Sequence, residues 1–276
     1  MKDLFIELLQ LALSTRDKLS RVPVADEWCT LYNEAQKQAI VGVLTEGVEI
    51  LPEEQRPPKD IIFQWIGMFV QIQDRNKDLN KRCAELQHLF TEAGFESCIL
   101  KGQGNALLYP NPLSRQSGDI DIWVTPKGNV GGNKVDVTGI VKFLGTKCDI
   151  AKQVIGYHHA EFPVFNDVEV EVHWRPSWRS SPLYNHRLQK WCRRMAEGGW
   201  MKAELPEGVG EITVPTWDFN VVYLLQHMFL HIFQEGLGLR QVVDYYYLLK
   251  SDRRDKKAEV GETLRYLGLF DFAGAV

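Results

Sequence analysis

Two aspartates that alternate with isoleucines constrain this chain more than any other feature. The stretch reads SGDIDIWV and places Asp119 and Asp121 beside Ile120 and Ile122. Because successive side chains of a strand point to opposite faces, the two carboxylates share one face, about 7 Å apart along the chain, and the isoleucines share the other. The pattern predicts a strand with a buried face and a face that carries paired negative charge.

A second acidic strand follows in the stretch DVEVEVHW. Its valines share one face, which leaves Glu169, Glu171 and His173 on the other. Where the two strands are neighbours, their carboxylates converge and repel one another unless a cation is bound. Such oxygen ligands suit Mg²⁺ or Mn²⁺, which commonly bridge protein carboxylates and substrate phosphates.

The remaining pattern divides the chain into three regions. Residues 1–93 have helical periodicity, ending in a long helix at about 59–92, and they predict an N-terminal helical region. Residues 94–178 contain short β-type runs, and residues 179–276 return to helix, apart from a strand or loop at 211–216. The sequence therefore predicts an α+β fold in which a small mixed sheet lies between helical N-terminal and C-terminal parts.

Within the middle region the predicted elements follow a fixed order. The predicted strands cover residues 95–100, 119–124, 159–165 and 168–174, a glycine turn and short helix cover 102–111, and a Gly-Gly loop precedes a crossover helix at about 134–144. Since Asn166-Asp167 is a plausible tight turn, the last two strands are predicted to form an antiparallel hairpin.

Composition excludes several classes of protein. With 276 residues, 45% hydrophobic and 25% charged, the chain is typical of a folded globular protein. The net charge of −4 disfavours a polynucleotide partner. The apolar stretches are too short or too interrupted to span a bilayer, which predicts no membrane association. Five widely spaced cysteines without a CxxC pair favour reduced thiols and a cytoplasmic location.

The chain ends on the apolar stretch LGLFDFAGAV. This ending is typical of a helix interrupted in mid-course, which predicts that the C-terminal region is truncated.

Several motifs together resemble a known superfamily. The order Leu100-Lys101-Gly102, short helix, Arg115, then GDIDI resembles the nucleotidyltransferase superfamily that includes DNA polymerase β and aminoglycoside nucleotidyltransferases. More narrowly, LKG, DIDI, HHAEF, VEVHW and LRQVVDYYYLL are similar to a family of uncharacterised bacterial nucleotidyltransferase-like proteins. The resemblance covers about residues 95–250.

The resemblance implies roles for particular residues. Asp119 and Asp121 would hold divalent metals, and Glu171 would bind the catalytic metal and help deprotonate an acceptor hydroxyl. The nucleotide would be bound by the turn and its flanking cations: Lys101, Gly102, Gln103, Arg115 and Gly118. The turn reads Lys-Gly-Gln-Gly where many members have Gly-Ser or Gly-Gly, so the serine hydroxyl that would contact the triphosphate is absent.

For Lys101 and Arg115 the residues leave a structural alternative open. Lys101 could end a strand at the surface, and Arg115 could pair with an aspartate of the acidic strand.

Other polar residues are candidates for supporting or acceptor roles. Glu169 shares the face of Glu171, and His173 is placed to orient a carboxylate. His159, with His158, could reach a phosphate or the acceptor, or could be an exposed histidine of a hairpin.

Two i, i+4 pairs lie on the later helices. His227 and His231 lack the zincin pattern and favour packing or a wall of the acceptor pocket. Arg240 and Asp244 predict an intrahelical ion pair that helps fix the helix against the catalytic core, which makes Arg240 a candidate for a supporting or acceptor role.

These features predict a metal-dependent transferase. It would use Mg²⁺ or Mn²⁺ to move a nucleoside monophosphate from an NTP donor such as ATP to a hydroxyl of a small molecule or protein, releasing pyrophosphate. One alternative is a catalytically inactive binding module of the same fold. A second is a γ-phosphoryl transferase, which is disfavoured because the chain has neither a Walker-type loop nor a kinase catalytic loop.

Overall fold

The structure is a computed structural model, and it describes residues 2–128, 137–234, 236–251 and 256–276. The N-terminal helices are α1 (Lys2–Ala12), α2 (Ala25–Lys37), α3 (Val41–Glu49) and α4 (Lys59–Glu92). The middle of the chain forms β1 (Phe95–Leu100), α5 (Gly102–Ala106), β2 (Ile120–Pro126), α6 (Val137–Leu144), β3 (His159–Glu161) and β4 (Val170–His173). The remaining elements are α7 (Pro182–Glu197), β5 (Met201–Leu205), β6 (Gly210–Val214), α8 (Trp217–Gln234), α9 (Leu239–Lys250), α10 (Lys257–Leu267) and α11 (Phe270–Ala273).

A four-stranded mixed sheet forms the centre of the fold, in the order β1-β2-β4-β3. β2 is antiparallel to β1 and parallel to β4, while β3 is antiparallel to β4. The parallel pair needs a crossover connection, and α6 lies in it. The α+β class and the β3–β4 hairpin are confirmed.

The two faces of the sheet pack against different helices. Ile120 and Ile122 are buried with the C-terminal half of α4 and with α6, as the alternation predicts. On the opposite face, Trp123 belongs to an apolar cluster that includes residues of α7, α8 and α10. α4 has 34 residues and spans about 50 Å, so its N-terminal half also packs with α1, α2 and α3.

The apolar cluster of the N-terminal helices also includes residues of the C-terminal region. The N-terminal helices share it with Val243 and Tyr247 of α9. α9 therefore connects the N-terminal helices to the sheet region, and it reaches the edge of the cleft described below.

Several local predictions differ from the structure. β5 was predicted as helix, but it pairs with β6 in an antiparallel hairpin. The short helix after β1 ends at Ala106, before the prolines, and β3 ends at Glu161 rather than near residue 165. The Gly-Gly loop at residues 131–132 lies outside the described residues. Among the described residues, no helix has the length and apolar character needed to cross a membrane.

Candidate active site

Strand pairing brings the acidic residues together at one cleft. Asp121 lies directly opposite Glu171 in the parallel β2–β4 pair, and His173 lies opposite His159 in the antiparallel β4–β3 pair. The cleft has a volume of about 440 Å³ and is bounded by the sheet, α8 and α9. Tyr223 of α8 contributes to its wall.

Asp121 is the most buried carboxylate of the cleft, with 2% of the residue exposed. The Nζ of Lys101 lies 2.9 Å from its Oδ2, and the Nε2 of His173 lies 3.0 Å from its Oδ1. Burial alone would raise the pKa of Asp121, but the Lys101 ammonium and His173 lower it well below the usual range. Asp121 is therefore ionised at neutral pH.

Lys101 reaches Asp121 because of an unusual backbone conformation. β1 ends opposite Asp121, and the next residue, Lys101, has φ 49° and ψ −137°. Positive φ is uncommon for a residue with a Cβ, and such backbone strain concentrates at functional sites. This sharp turn places the ammonium over the carboxylate and starts α5.

Glu171 and His173 form the second part of the acidic cluster. The Nε2 of His173 lies 3.2 Å from Oε2 of Glu171. This hydrogen bond lowers the pKa of Glu171, even though burial opposes the shift. For His173 burial favours the neutral ring, but the two carboxylates outweigh it and raise the pKa. Its Nδ1 is buried without a hydrogen-bond partner among the described residues.

Asp119 lies one residue before β2 and lines the same cleft. The charge of Asp121, followed by burial, raises the pKa of Asp119. Ligand atoms of Asp121, Glu171 and His173 lie within 4.8 Å of one another, and Asp119 is outside that set. The three predicted metal ligands therefore share one cleft. Asp121 and Glu171 lie closest together, and Asp119 lies beside them.

This donor set fits a divalent cation. Asp119, Asp121 and Glu171 offer carboxylate oxygens, the ligand type that Mg²⁺ and Mn²⁺ prefer. The raised pKa of Asp119 reflects repulsion between neighbouring carboxylates, which a bound cation relieves.

The predicted nucleotide-binding residues divide into two groups. Gly102, Gly118 and Arg115 line the cleft together with Lys101. The Gln103 side chain instead donates a hydrogen bond to Oδ1 of Asn80 at 2.5 Å, against α4, and is 3% exposed. The Gln103 side chain therefore lies outside the cleft, because α5 directs it toward α4.

Glu169 also differs from the expected arrangement. It is exposed and precedes β4, where its carbonyl oxygen accepts a hydrogen bond from Ile120 at 2.9 Å. It does not line the cleft that Glu171 lines. The strand face predicted for both glutamates therefore begins within β4, after Glu169.

Arg115 makes a buried ion pair rather than a contact with the acidic strand. Its Nε and Nη2 each lie 2.8 Å from a carboxylate oxygen of Asp244. Tyr109 and Asn105 also donate to Asp244. Arg240 donates to the carbonyl oxygen of Gln116 at 2.8 Å, so the predicted Arg240–Asp244 pair is replaced by two longer-range contacts.

Sequence reasoning missed this buried network. The available signal was an aspartate within the apolar stretch VVDYYYLL of α9, since a carboxylate on a buried helix face needs a partner. Its partner could not be identified, because Arg115 is far away in the sequence.

Histidines are concentrated in the cleft. Of the seven in the chain, five line it: His158, His159, His173, His227 and His231. Burial, followed by the neighbouring histidines, lowers the pKa of His158 to about 4. His227 thus lies in the wall, as one of its two predicted interpretations requires.

Comparison with known proteins identifies the family. The pattern of the family described as "Uncharacterised nucleotidyltransferase" matches residues 25–276, so the chain belongs to that family. Among curated proteins no match to the chain is found.

A solved structure is also similar to the chain. It is the crystal structure of an antigenic nucleotidyltransferase-like protein from Paracoccidioides brasiliensis, at 13% sequence identity and a TM-score of 0.44. The alignment covers 72% of this chain and 92% of that one.

Proposed function

We propose that the protein transfers a nucleoside monophosphate from an NTP to a hydroxyl of a small molecule or protein, with release of pyrophosphate. The observation that carries this proposal is the convergence of Asp121 and Glu171, directly opposite each other on parallel strands, with Asp119 in the same cleft. Family membership supports nucleotidyl transfer as the general reaction. We also propose that the family belongs to the nucleotidyltransferase superfamily that includes DNA polymerase β. The GDIDI strand and the turn before it support this proposal because they resemble that superfamily.

The carboxylates of the cleft would hold Mg²⁺ or Mn²⁺. Asp119, Asp121 and Glu171 are the proposed ligands. Held by these carboxylates, a cation would neutralise charge on the α-phosphate under attack and on the leaving pyrophosphate. Glu171 has a lowered pKa and is ionised at neutral pH, so it can accept the proton of an acceptor hydroxyl.

The turn after β1 would receive the triphosphate. Lys101 brings a positive charge to the cleft, and Gly102 has φ +37° and borders the cleft without a side chain. A glycine permits close approach of the backbone to a ligand. We therefore assign triphosphate binding to Lys101 and the backbone at Gly102 and Gly118.

The proposal extends to the cellular location of the protein and to the division of its chain into regions. We propose a cytoplasmic bacterial enzyme with a catalytic core at 94–178, between helical regions at 1–93 and 179–276. The net charge of −4 supports a small molecule or a protein as acceptor rather than a polynucleotide.

One observation favours a second candidate function. Lys101 and His173 already neutralise part of the charge on Asp121 and Glu171. This internal compensation lets the acidic cluster persist without a cation, as a catalytically inactive nucleotide-binding module would require.

Isotope transfer separates these functions. The protein is incubated with Mg²⁺, an extract of small molecules or proteins, and NTP labelled at either the α- or the γ-phosphate. We expect α-label in an acceptor and γ-label in pyrophosphate, with at least a hundredfold loss for Asp121→Asn. Glu169→Gln is the matched control and should retain activity, because that carboxylate lies outside the cleft.

Two other results would replace the proposal. γ-label in the acceptor together with NDP would establish phosphoryl transfer. Metal-dependent NTP binding without label in any small molecule or protein would establish the inactive nucleotide-binding module.

A further inference from the structure

Three of the cleft histidines form a compact cluster on one side of the carboxylates. One ring nitrogen from each of His158, His159 and His173 lies within 4.8 Å of the other two. The closest contact is 2.8 Å, between Nδ1 of His159 and Nε2 of His158. Clusters of imidazole nitrogens suit Zn²⁺ and related transition metals, whereas Mg²⁺ prefers oxygen.

The unpartnered nitrogen of His173 points independently to a ligand. The Nε2 of this ring contacts Asp121 at 3.0 Å and Glu171 at 3.2 Å, while Nδ1 is buried without a partner among the described residues. Only 5% of the side chain is exposed, so water does not readily satisfy that atom. Metal-bound histidines characteristically donate their other ring N–H to a carboxylate, which fixes the ring and its tautomer.

The backbone holds the other two rings in place. His159 is the register partner of His173 across the β3–β4 pair, so the two side chains share one face. The carbonyl oxygen of His158 accepts hydrogen bonds from the backbone N–H groups of Trp174 and Arg175, at 3.0 and 3.2 Å. The three rings are therefore presented by paired backbone rather than by a free loop.

We propose that His158, His159 and Nδ1 of His173 bind a divalent transition metal of the Zn²⁺ type, beside the carboxylate site and distinct from it. Three protein nitrogens leave a fourth tetrahedral position facing the cleft. Ligands of one tetrahedral Zn²⁺ are about 3.3 Å apart, so the His158–His159 contact of 2.8 Å needs to open only slightly. Binding displaces any proton held on the three ligand atoms.

Metal binding can be measured without an activity assay. The full chain is stripped with EDTA, dialysed and titrated with CoCl₂, and visible absorption is recorded because Co²⁺ in a tetrahedral nitrogen site absorbs more strongly than in an octahedral oxygen site. We expect one strongly absorbing Co²⁺ per chain, displaced by ZnCl₂. His158→Ala and His159→Gln should each lower the affinity at least tenfold.

Two control variants separate this site from the rest of the molecule. His186→Ala removes an exposed histidine elsewhere and should bind Co²⁺ like the wild type. Asp119→Asn should also retain the Co²⁺ spectrum, although it removes a ligand of the proposed catalytic metal. Failure of nucleotidyl transfer and failure of the histidine site are thereby distinguished.

A second measurement uses only the wild type, in case the variants fold poorly. Diethyl pyrocarbonate modifies accessible histidines, and we expect ZnCl₂ to protect the peptide containing His158 and His159 but not His186. Absence of the Co²⁺ band, a band unchanged in both histidine variants, or lack of protection by ZnCl₂ would each overturn the proposal.

Discussion

At the scale of single residues, the ion pair between Arg115 and Asp244 matters for stability because both of its side chains are buried. Both side chains are almost fully buried, at 6% and 5% exposed. Removing one partner of a buried pair leaves an uncompensated charge, which costs about 3–5 kcal/mol.

We therefore expect Arg115→Met to lower the free energy of unfolding by about 3–5 kcal/mol, measured by urea denaturation. The double variant Arg115→Met/Asp244→Leu should lose less than the sum of the two single variants, because neither charge is left alone. Arg194→Met, at an exposed position, should change stability by no more than about 0.5 kcal/mol. Wild-type stability combined with lost nucleotide binding would instead support the predicted phosphate contact of Arg115.

Glu27 should confer a pH-dependent stability at the start of α2. Hydrogen bonds from Arg21 and from the backbone of Val24 lower the pKa of Glu27 to about 2. A carboxylate with a lowered folded-state pKa stabilises the protein above its unfolded pKa, about 4.3, and loses that contribution as the pH falls toward 2.

Glu27→Gln should thus be less stable than the wild type at pH 7, and the difference should shrink between pH 4.3 and about 2. Urea midpoints at pH 7, 4 and 2.5 measure the trend. The control is Glu34→Gln on the same helix, where a surface pair with Lys37 contributes about 0–1 kcal/mol at most. A Glu27→Gln difference that stays constant over this pH range would contradict the assignment.

At the scale of elements, two glycines within helices differ in the space available for a side chain. A Cβ at Gly42 of α3 would lie 2.1 Å from the carbonyl oxygen of Ser114, whereas a Cβ at Gly67 of α4 would meet nothing within 4 Å. Close packing of α3 against the turn before β2 therefore requires glycine at position 42.

Gly42→Ala should destabilise the protein by about 1–3 kcal/mol or more, because the backbone must shift. Gly67→Ala should stabilise it by about 0.5–1 kcal/mol, since alanine loses less conformational entropy in a helix. Thermal unfolding of the two variants side by side tests both signs. Equal effects would contradict the packing of α3 on this turn.

At the scale of the whole molecule, the cleft joins elements that are distant in sequence. The sheet supplies the carboxylates, and α8 and α9 supply the opposite wall. A ligand that binds only this folded arrangement raises the apparent stability, by about 2.7 kcal/mol at a concentration one hundred times its Kd.

We expect one of the four NTPs, with Mg²⁺ or Mn²⁺, to raise the unfolding temperature of the wild type. The shift should require the metal and vanish in Asp119→Asn/Asp121→Asn, while Glu169→Gln should respond like the wild type. No shift with any NTP would argue against the proposed nucleotide site.

Alternation along the strands was enough to predict much of this protein from its sequence. The period-two pattern of GDIDI and of EVHW correctly separated the apolar face from the face of Asp121 and Glu171, because side-chain direction in a strand is a local property. The same pattern was wrong at Glu169, which lies before β4 and outside the cleft. Together with the runs of helical periodicity, it also predicted the α+β class. β5 was missed since MKAEL carries no clear strand pattern and is defined by pairing with β6.

Only the tertiary structure decided which polar groups meet. Three contacts depend on segments that are separated in the chain. They are the ion pair of Lys101 with Asp121, the hydrogen bond of Gln103 to Asn80 of α4, and the buried ion pair of Arg115 with Asp244. The cluster of His158, His159 and His173 likewise exists because β3 and β4 align in one particular register. Local sequence determines the direction of a side chain, and long-range packing determines what that side chain meets.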